Sequence, residues 1–329
     1  MSLAPNSGVI LLPAGELRDL VDPASALAAL REAYRMLADH REDQGRSLGF
    51  AIPGGSIHVK AGLLPGSHVA FAAKVNVNLP SNWHARRMPT IQGLLVLADT
   101  ADGRPLSIIE SSTLTAVRTA ATAALAATYG ARAHSRIAAL IGCGIQARYQ
   151  LAAFRANFPL EEVRVYDIDP AKAEAFAAGE RCRAVETVSK AVEGADICIT
   201  CTTATAPVLT EDLPLAGCFI AAVGADNPAK QEIHPVLFRR ARVLVDDFEA
   251  CASGGDLFHA LNAGAIKRED VHADLAELAA ERKIGRESPE ELVIFDSTGS
   301  GVQDVAVAWL AYRTALQTGR GIRIDFSGT

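Results

Sequence analysis

A glycine-rich turn between a predicted strand and a predicted helix is the first feature of this sequence that could perform chemistry. Residues 136–141 (RIAALI) have the apolar, β-branched composition of a buried strand, and residues 142–147 (GCGIQA) follow directly. In this G-x-G-x-x-A pattern the first glycine permits a tight turn, the second lets the backbone approach a pyrophosphate, and the alanine allows close helix-to-strand packing. The N-terminus of the next helix would direct N–H groups at the phosphates. The pattern predicts a dinucleotide site whose contact residues are Gly142, Gly144, Gln146 and Ala147.

An acidic residue follows the next predicted strand. The stretch Val163 to Tyr166 ends in Asp167, a little beyond the roughly 20 residues at which a ribose-binding acid is expected. A carboxylate there would accept hydrogen bonds from the adenosine hydroxyls and repel a 2′-phosphate, which favours NAD(H) while leaving NADP(H) open. Alternatively, Asp167 is a turn or helix-capping residue, because Asp169-Pro170 follows closely.

Two cations lie where a charge is costly unless an anion is nearby. Lys74 falls within an apolar strand-like run, and Arg118 falls within an Ala/Thr-rich helical stretch. An unpaired charge that is buried loses its hydration, so both side chains require an anion. A planar guanidinium backed by a point charge suits a carboxylate ligand. Alternatively, each residue forms an internal salt bridge or lies on an exposed face of its element.

Asp226 closely follows the predicted strand Phe219 to Val223. This position lies at the carboxyl end of the predicted parallel sheet, where dinucleotide-binding folds place their ligands. Asp226 is therefore a candidate site residue, and the alternative interpretation is that it caps the loop.

The elements that would position these residues form two regimes. Asp22-Pro23 predicts the start of an amphipathic helix that includes Leu27, Leu30, Tyr34 and Leu37. Four β-type stretches and an Ala-rich helix from Ser111 to about Ala127 come next, which indicates an antiparallel block. From Ser135 onward, short apolar strands alternate with helices, as in a doubly wound parallel sheet. The predicted strands are 56–63, 69–77, 91–98 and 105–110, then 136–141, 163–167, 195–201, 218–223, 242–246 and 292–296.

The order of these regimes predicts an inserted domain. The helical pattern beyond Gly301 (VQDVAVAWLAYRTAL) lies outside the dinucleotide unit, so we expect it to return to the N-terminal block. The predicted fold is α/β, a Rossmann dinucleotide-binding domain (119–301) inserted into an α+β antiparallel domain (1–118 plus 302–329).

Composition excludes several classes of function. The chain has 329 residues, 49% of them apolar, and a net charge of −6 without a block of like charge, so nucleic acid is not an expected partner. Because the sequence shows neither a leader-like N-terminus nor an apolar run of roughly 20 residues, we expect a soluble cytoplasmic protein and no membrane partner.

No histidine lies at zinc-ligand spacing from another histidine or cysteine, so no metal site is predicted. Cys198 and Cys201 form C-x-x-C within a strand-like stretch and are interpreted as core residues.

Five segments, in the same order, resemble the ornithine cyclodeaminase and mu-crystallin family of nicotinamide-dependent enzymes. The resemblance spans most of the chain and implies the inserted-domain fold described above. It also implies that the outer α+β antiparallel domain (1–118 plus 302–329) is a substrate-binding and dimerisation domain, with a homodimeric assembly. The matching segments are Phe71 to Asn78 (FAAKVNVN), Leu114 to Ala127 (LTAVRTAATAALAA), Leu140 to Ala147, Ala222 to Lys230 (AVGADNPAK) and Phe295 to Asp304 (FDSTGSGVQD).

The resemblance also implies hydride transfer at the α-carbon of an amino acid or its imine, with NAD as the expected cofactor and NADP possible. Arg46, Lys74 and Arg118 match three cations that hold the substrate carboxylate. Asp226 matches an acid/base aspartate and, with Lys74, is assigned to catalysis. The remaining candidates are Thr90, which matches a substrate-side threonine, and His58 on the substrate side, with Thr202, Val223, Lys230 and Thr298 on the cofactor side.

One departure concerns the substrate side chain. In ornithine cyclodeaminases a glutamate of the early β-block contacts the distal amine, and the nearest position here is His58, with Lys60 beside it. Such a pair suits a distal ammonium poorly. These residues could meet a second carboxylate instead, or face solvent on an edge strand.

The C-terminal motif FDSTGSGVQDVAVA resembles the reductase and dehydrogenase members more than the cyclodeaminases. We therefore expect NAD(P)H-dependent reduction of an imino acid, such as the cyclic ketimine pyrroline-2-carboxylate, or amino-acid dehydrogenation. Ornithine cyclodeamination with internally recycled NAD is the alternative. A non-catalytic binding role like that of mu-crystallin is a further one.

Overall fold

The structure, a computed structural model, describes residues 8–67 and 69–326, without the side chains of residues 83 and 84. The chain divides by its internal contacts into two compact units. Residues up to Arg118, together with those from Ser300 onward, form the first unit, and Thr119–Gly299 form the second.

The first unit combines helices with the strands of one sheet. Before the boundary it contains β1 (Val9–Leu12), α1 (Ala14–Leu20), α2 (Pro23–Leu37), β2 (Arg46–Ile52), β3 (Gly55–Leu63), β4 (Ala70–Asn78), α3 (Asn82–Arg86), β5 (Ile91–Asp99), β6 (Pro105–Glu110) and the first part of α4 (Ser111–Gly130).

The second unit follows the βαβ alternation that the apolar runs predict. Its elements are β7 (Ile137–Ile141), α5 (Ile145–Asn157), β8 (Glu162–Tyr166), α6 (Pro170–Glu180), β9 (Arg183–Ala184), α7 (Val188–Val192), β10 (Ile197–Thr200), β11 (Thr205–Leu209), β12 (Phe219–Ala222), β13 (Gln231–Ile233), α8 (Pro235–Arg239), β14 (Ala241–Val245), α9 (Phe248–Gly254), α10 (Asp256–Asn262), β15 (Val271–Asp274), α11 (Leu275–Ala279) and β16 (Leu292–Asp296). The chain then returns to the first unit with α12 (Gly301–Thr318) and β17 (Ile322–Ile324).

The N-terminus of α2 forms as its sequence predicts. The Asp22 carboxylate accepts hydrogen bonds from the N–H groups of Ala24 and Ser25, both at 3.0 Å, and Pro23 occupies the first turn. Because α2 is amphipathic, its apolar side chains are buried on one face. The buried set includes Leu27, Leu30, Tyr34 and Leu37.

The sheet of the first unit has seven strands in the order β17-β1-β6-β5-β4-β3-β2. The four strands that the sequence predicts, β3 to β6, pair antiparallel with one another, whereas β1, which it does not predict, pairs with β6 in parallel. The other pairings are antiparallel. Helix α12 contacts β3 and β4 on one face of this sheet and also packs against α2.

The opposite face of the same sheet is apolar and exposed. Successive residues of a strand point to alternate faces, and the register places side chains of β2, β4 and β5 together on this side. We call it the apolar sheet face; its large exposed side chains are Leu48, Phe50, Phe71, Val75, Leu94 and Val96.

The main sheet of the second unit is parallel throughout and confirms the predicted fold class. Its eight strands run in the order β15-β14-β16-β12-β10-β7-β8-β9. The chain order reverses between β7 and β10, and ligands of doubly wound sheets bind outside the carboxyl ends of the strands at such a point. Within the described residues, no helix is both long and apolar enough to cross a membrane.

Candidate functional site

The glycine turn lies at the carboxyl end of β7, at the point where the strand order reverses. Gly142 has a φ of 97°, and a Cβ atom there would come within 3.0 Å of Cys201 O and Thr202 Cγ2. A side chain is therefore excluded by both backbone conformation and space. Gly144 is the N-cap of α5, and a Cβ atom built there meets nothing within 4 Å. Open space beside a helix N-terminus is the arrangement that a pyrophosphate requires.

The residues around this turn lie where the sequence predicts. Ala147 is fully buried in the first turns of α5, which allows that helix to pack closely on the sheet. Gln146 precedes it on the same helix and is half-buried. Val223 follows β12 and is also half-buried, and its N–H donates to Thr200 O.

Asp167 is joined directly to the glycine turn. Its Oδ2 accepts from Cys143 N at 2.8 Å, and its Oδ1 accepts from Asp169 N at 3.0 Å. The cap of α6 is Asp169, whose carboxylate accepts from Ala171 N, so helix capping does not account for Asp167. The half-buried Asp167 carboxylate holds the turn in place, and its contact with a ribose stays a prediction.

Asp226 and Lys230 form a salt bridge after β12. Lys230 Nζ donates to Asp226 Oδ1 at 2.8 Å and to Gly224 O at 3.3 Å. The Asp226 side chain is 41% exposed. Its carboxylate is accessible in this loop, and its acid/base role stays a prediction.

Thr298 lies in the turn after β16, where a buried acid organises the backbone. Asp246 accepts from Thr298 N and from Gly299 N, the latter at 2.8 Å, and also from Ser297 Oγ. The contact of Thr298 with a nicotinamide stays a prediction.

In the first unit, Lys74 and Arg118 converge on Asp304. Lys74 Nζ lies 2.8 Å from Asp304 Oδ1, and Arg118 Nε lies 3.2 Å from the same oxygen. Relative exposures of 3% for Lys74, 5% for Arg118 and 1% for Asp304 make this a buried charge cluster. In the structure, Lys74 and Arg118 both form the internal salt bridge that the sequence left open as one alternative.

Neighbouring side chains orient the cluster. Lys74 Nζ also donates to Thr115 Oγ1 at 3.1 Å, so these contacts use two of its three N–H donors. Arg118 Nη1 donates to Gln303 Oε1 at 2.7 Å, and Gln303 Nε2 donates to the Tyr34 hydroxyl at 2.8 Å. The guanidinium is thereby held from α12 and, through Gln303, from α2.

Burial sets the protonation of this cluster. Desolvation lowers the pKa of Lys74 to about 7, against the opposing charge of Asp304 and with further lowering from Arg118 and Lys60. Desolvation raises the pKa of Asp304, but the charges of Lys74 and Arg118 outweigh it and hold this pKa below its ordinary value. Asp304 is thus the anion of the cluster, and Lys74 titrates near neutrality.

The other predicted substrate residues occupy different positions. Lys60 lies directly opposite Lys74 in the β3–β4 pairing, and His58 lies two residues before it on the same face, 2.8 Å from Ser56 Oγ. Thr90 is half-buried just before β5, where its carbonyl accepts from Leu79 N.

The structure does not bring Arg46 into the cluster. Arg46 is exposed at the start of β2, and its Nη1 donates to Gly45 O at 2.9 Å. It pairs with Ala61, which pairs with Ala73, so the strand register places Arg46 on the opposite sheet face from Lys74. A contact between Arg46 and substrate stays a prediction.

Several buried acids that contact the predicted site residues were not identified from the sequence. Among them are Asp304, which pairs with Lys74, Asp246, which accepts from Thr298 N, and Glu232, whose carboxylate accepts from Thr202 N at 2.6 Å. For Asp304, the sequence signal that could have found it is an acidic residue within an apolar helical run. For Glu232, the signal is an acidic residue within the strand-like stretch before His234.

Comparison of this chain with known proteins identifies its family. The ornithine cyclodeaminase/mu-crystallin family matches residues 56–319. The chain is 34% identical over 320 residues to the alanine dehydrogenase of Archaeoglobus fulgidus, covering 96% of this chain and 98% of that protein.

Solved structures of relatives match over nearly the whole chain. An archaeal alanine dehydrogenase dimer with bound NAD has a TM-score of 0.90 and 34% identity, covering 97% of this chain and 99% of that one. The Thermococcus litoralis Δ1-pyrroline-2-carboxylate reductase, in complex with NADH and L-proline, has a TM-score of 0.90 and 31% identity, covering 96% and 100%. The chain belongs to the ornithine cyclodeaminase/mu-crystallin family.

Proposed function

We propose that this protein is an NAD(P)H-dependent reductase of an imino acid, or an amino-acid dehydrogenase in the reverse direction. The observation that carries the proposal is Lys74, a buried cation whose pKa is lowered to about 7 beside Arg118 and Asp304. A group that titrates near neutrality can both bind an anion and exchange a proton. The relatives that act on alanine and on pyrroline-2-carboxylate support the same class of substrate.

The first unit supplies the groups that an imino acid needs. The third N–H of Lys74 and the guanidinium of Arg118 would hold the α-carboxylate, while Asp304 and Gln303 keep both cations oriented. A reduced nicotinamide, when bound, supplies the hydride that the α-carbon gains. The imine nitrogen takes up one proton, which we assign to the Lys74 ammonium. Asp226 is assigned a second acid/base role on the strength of the family resemblance.

The second unit has the features of the cofactor domain. The open space at Gly144, the N-terminus of α5 and the tight turn at Gly142 fit a dinucleotide pyrophosphate. Asp167 at the end of β8 would meet the ribose, so we propose NAD(H) as the preferred cofactor. Gln146, Ala147, Thr202, Val223, Lys230 and Thr298 complete the proposed cofactor contacts.

We further propose that the first unit is the substrate-binding and dimerisation domain of a homodimer. The apolar sheet face presents Leu48 and Leu94 at 61% and 56% exposure. A contiguous apolar face of this kind favours burial against another protein surface. The related archaeal alanine dehydrogenase is a dimer, which supports a second copy of this chain as the partner.

A substrate panel tests the proposed reaction. Purified protein would be assayed with NADH and with NADPH against pyrroline-2-carboxylate, 2-oxo acids with ammonia, and ornithine with NAD⁺. Net oxidation of NADH by an imine or an oxo acid supports the proposal. Ammonia and proline from ornithine without net NADH would support cyclodeamination instead. Tight NADH binding with no turnover across the panel would favour a non-catalytic role.

A further inference from the structure

Three buried carboxylates lie in succession in the second unit, and the reaction outlined above does not use them. Glu232 in β13, Asp256 at the start of α10 and Asp296 at the end of β16 are all fully buried. Among the described residues, no basic side chain lies within ion-pair distance of any of the three. A buried acid without a basic partner is costly unless hydrogen bonds compensate for its lost hydration, so each carboxylate must be held by donors.

Glu232 has the richest set of donors. Its Oε1 accepts from Thr202 N at 2.6 Å and from Thr202 Oγ1 at 2.8 Å, and its Oε2 accepts from Thr200 Oγ1 and Gly224 N, both at 2.8 Å. Both oxygens thus face a backbone N–H that can only donate. These four donors stabilise the ionised carboxylate and oppose the burial that raises the pKa of Glu232 above its ordinary value.

The other two acids connect Glu232 to the body of the unit. Asp256 Oδ1 accepts from Glu232 N and Ile233 N, both at 2.8 Å. Asp296 accepts from Asp256 N at 3.2 Å and Leu257 N at 2.9 Å. Burial, followed by repulsion from Asp296 and Glu232, raises the pKa of Asp256 well above its ordinary range. Burial also raises the pKa of Asp296 to about 7. Of the three carboxylates, Glu232 accepts the most hydrogen bonds, two from backbone N–H groups and two from threonine hydroxyls, and is therefore the best compensated anion of the series.

Glu232 holds two segments that carry predicted cofactor and catalytic residues. Thr202 follows β10 and lies against the glycine turn, since a Cβ atom at Gly142 would meet Thr202 Cγ2 at 3.0 Å. Gly224 begins the loop that bears Asp226, and its carbonyl accepts from Lys230. One carboxylate thus ties the turn behind the pyrophosphate site to the loop of the acid/base aspartate.

We propose that Glu232 is the positioning residue of the cofactor site, a buried anion that fixes the Thr202 turn and the Gly224–Lys230 loop relative to each other. This inference rests on the proposed dinucleotide function. It assigns Glu232 no contact with substrate or cofactor. Its effect is exerted through Thr202 and Gly224.

The test is the variant Glu232→Gln in the full-length protein. The amide keeps the size of the side chain but directs an NH₂ group at N–H donors, so at least one charged hydrogen bond is lost. We expect the Kd for NADH, measured by fluorescence titration, to rise roughly tenfold to hundredfold, as expected for the loss of such a bond. Glu232→Asp keeps the charge and should recover part of the affinity.

Asp196→Asn is the matched control. Asp196 immediately precedes β10, at the opposite end of the strand from Thr200, and accepts from the N–H groups of Arg136 and Ile137. Its loss should lower the melting temperature while leaving the Kd for NADH within about twofold of wild type. If Glu232→Gln lowers the melting temperature as much as the control does and leaves the Kd unchanged, Glu232 is merely structural and the inference is wrong.

A milder variant covers the case in which Glu232→Gln does not fold. Thr200→Val removes one donor to Glu232 Oε2 with little change in volume. It should weaken NADH binding about threefold or more, and unchanged binding would overturn the inference. If wild-type protein itself binds neither NADH nor NADPH, the proposed function fails first. If wild type binds and no variant differs from it, only the positioning role fails.

Discussion

Lys74 and Asp304 stand 230 positions apart in the chain, yet their Nζ and Oδ1 atoms lie 2.8 Å apart in a buried ion pair. The pair joins the middle of β4 to the first turn of α12, and Arg118 from α4 meets the same carboxylate oxygen. Breaking a buried pair from one side is costly, because the remaining charge keeps its desolvation without its partner. The proposed substrate groups are therefore also part of the core of the first unit.

Lys74→Met should remove most of the activity. The variant loses both a carboxylate contact and the proposed proton donor, so we expect kcat for imine reduction to fall by roughly two orders of magnitude or more. Thr115→Val, which removes only one hydrogen-bond acceptor of Lys74, is the control and should retain activity within about fivefold. Steady-state assays of both variants provide the measurement, and a Lys74→Met enzyme as active as the control would rule out the assignment.

The reductive rate should depend on pH through Lys74. Its pKa is lowered to about 7, so the proton-donating form predominates below that pH and is lost above it. We expect kcat for imine reduction to fall as pH rises through this region, and the reverse oxidation to rise, because it needs the neutral amine. A reductive rate that stays flat from about pH 6 to 9 would contradict the role of Lys74.

Asp304→Asn should move that pH profile toward acid. Removing the carboxylate takes away the charge that opposes desolvation, so the pKa of Lys74 falls further and less of the proton donor remains at neutral pH. We also expect a loss of about 3–5 kcal/mol in the free energy of unfolding. Denaturant titration and the pH profile are independent measurements, and an unshifted profile in folded variant protein would argue against the coupling.

Asp167→Ser should weaken the preference for NADH over NADPH. The change removes the carboxylate that would repel a 2′-phosphate, and we expect the ratio of kcat/KM values to move toward NADPH by about tenfold. Asp169→Ser is the control, because Asp169 caps α6 and Asp167 alone accepts from Cys143 N. An equal change in both variants would mean that Asp167 acts only by holding the turn.

Leu94→Lys should disrupt the proposed homodimer. Leu94 lies near the centre of the apolar sheet face, opposite Val75, and a charge buried in an interface there would be strongly unfavourable. Light scattering coupled to gel filtration should show a shift toward monomer. Ile168→Lys, at a 91% exposed position in the second unit, should leave the assembly unchanged. A wild-type monomer, or a dimeric Leu94→Lys protein, would refute this interface.

Features that depend on local sequence could be predicted. The glycine turn, the Asp22 cap and strands β3 to β6 were located to within a residue or two, because turn chemistry and apolar runs are local signals. The sequence did not predict β1, β2 and β17 of the first unit, nor the short strands β9, β11, β13 and β15 of the second. β1 and β17 are only four and three residues long and pair with each other, and β2 is an exposed edge strand that lacks a core-facing pattern.

The partners of the candidate site could not be predicted in the same way. Lys74 and Arg118 were recognised as cations in need of an anion, but the anion is Asp304, which reaches them only through the packing of α12 on β4. The face of Arg46 depends on the β2–β3 register, which no single segment specifies. Long-range packing and strand register therefore decide the geometry that composition and motifs leave open.

Isotope transfer tests the central claim most directly. With NADH carrying deuterium at the transferable position of C4, and with pyrroline-2-carboxylate or pyruvate plus ammonia as substrate, the proposed function predicts one deuterium at the α-carbon of the amino-acid product per NADH oxidised. Mass spectrometry of the product and the absorbance of the reduced nicotinamide give both numbers in one experiment. The proposed function would be contradicted if the products from the imine and oxo-acid substrates carried no deuterium, while ornithine was consumed with release of ammonia and no net oxidation of NADH.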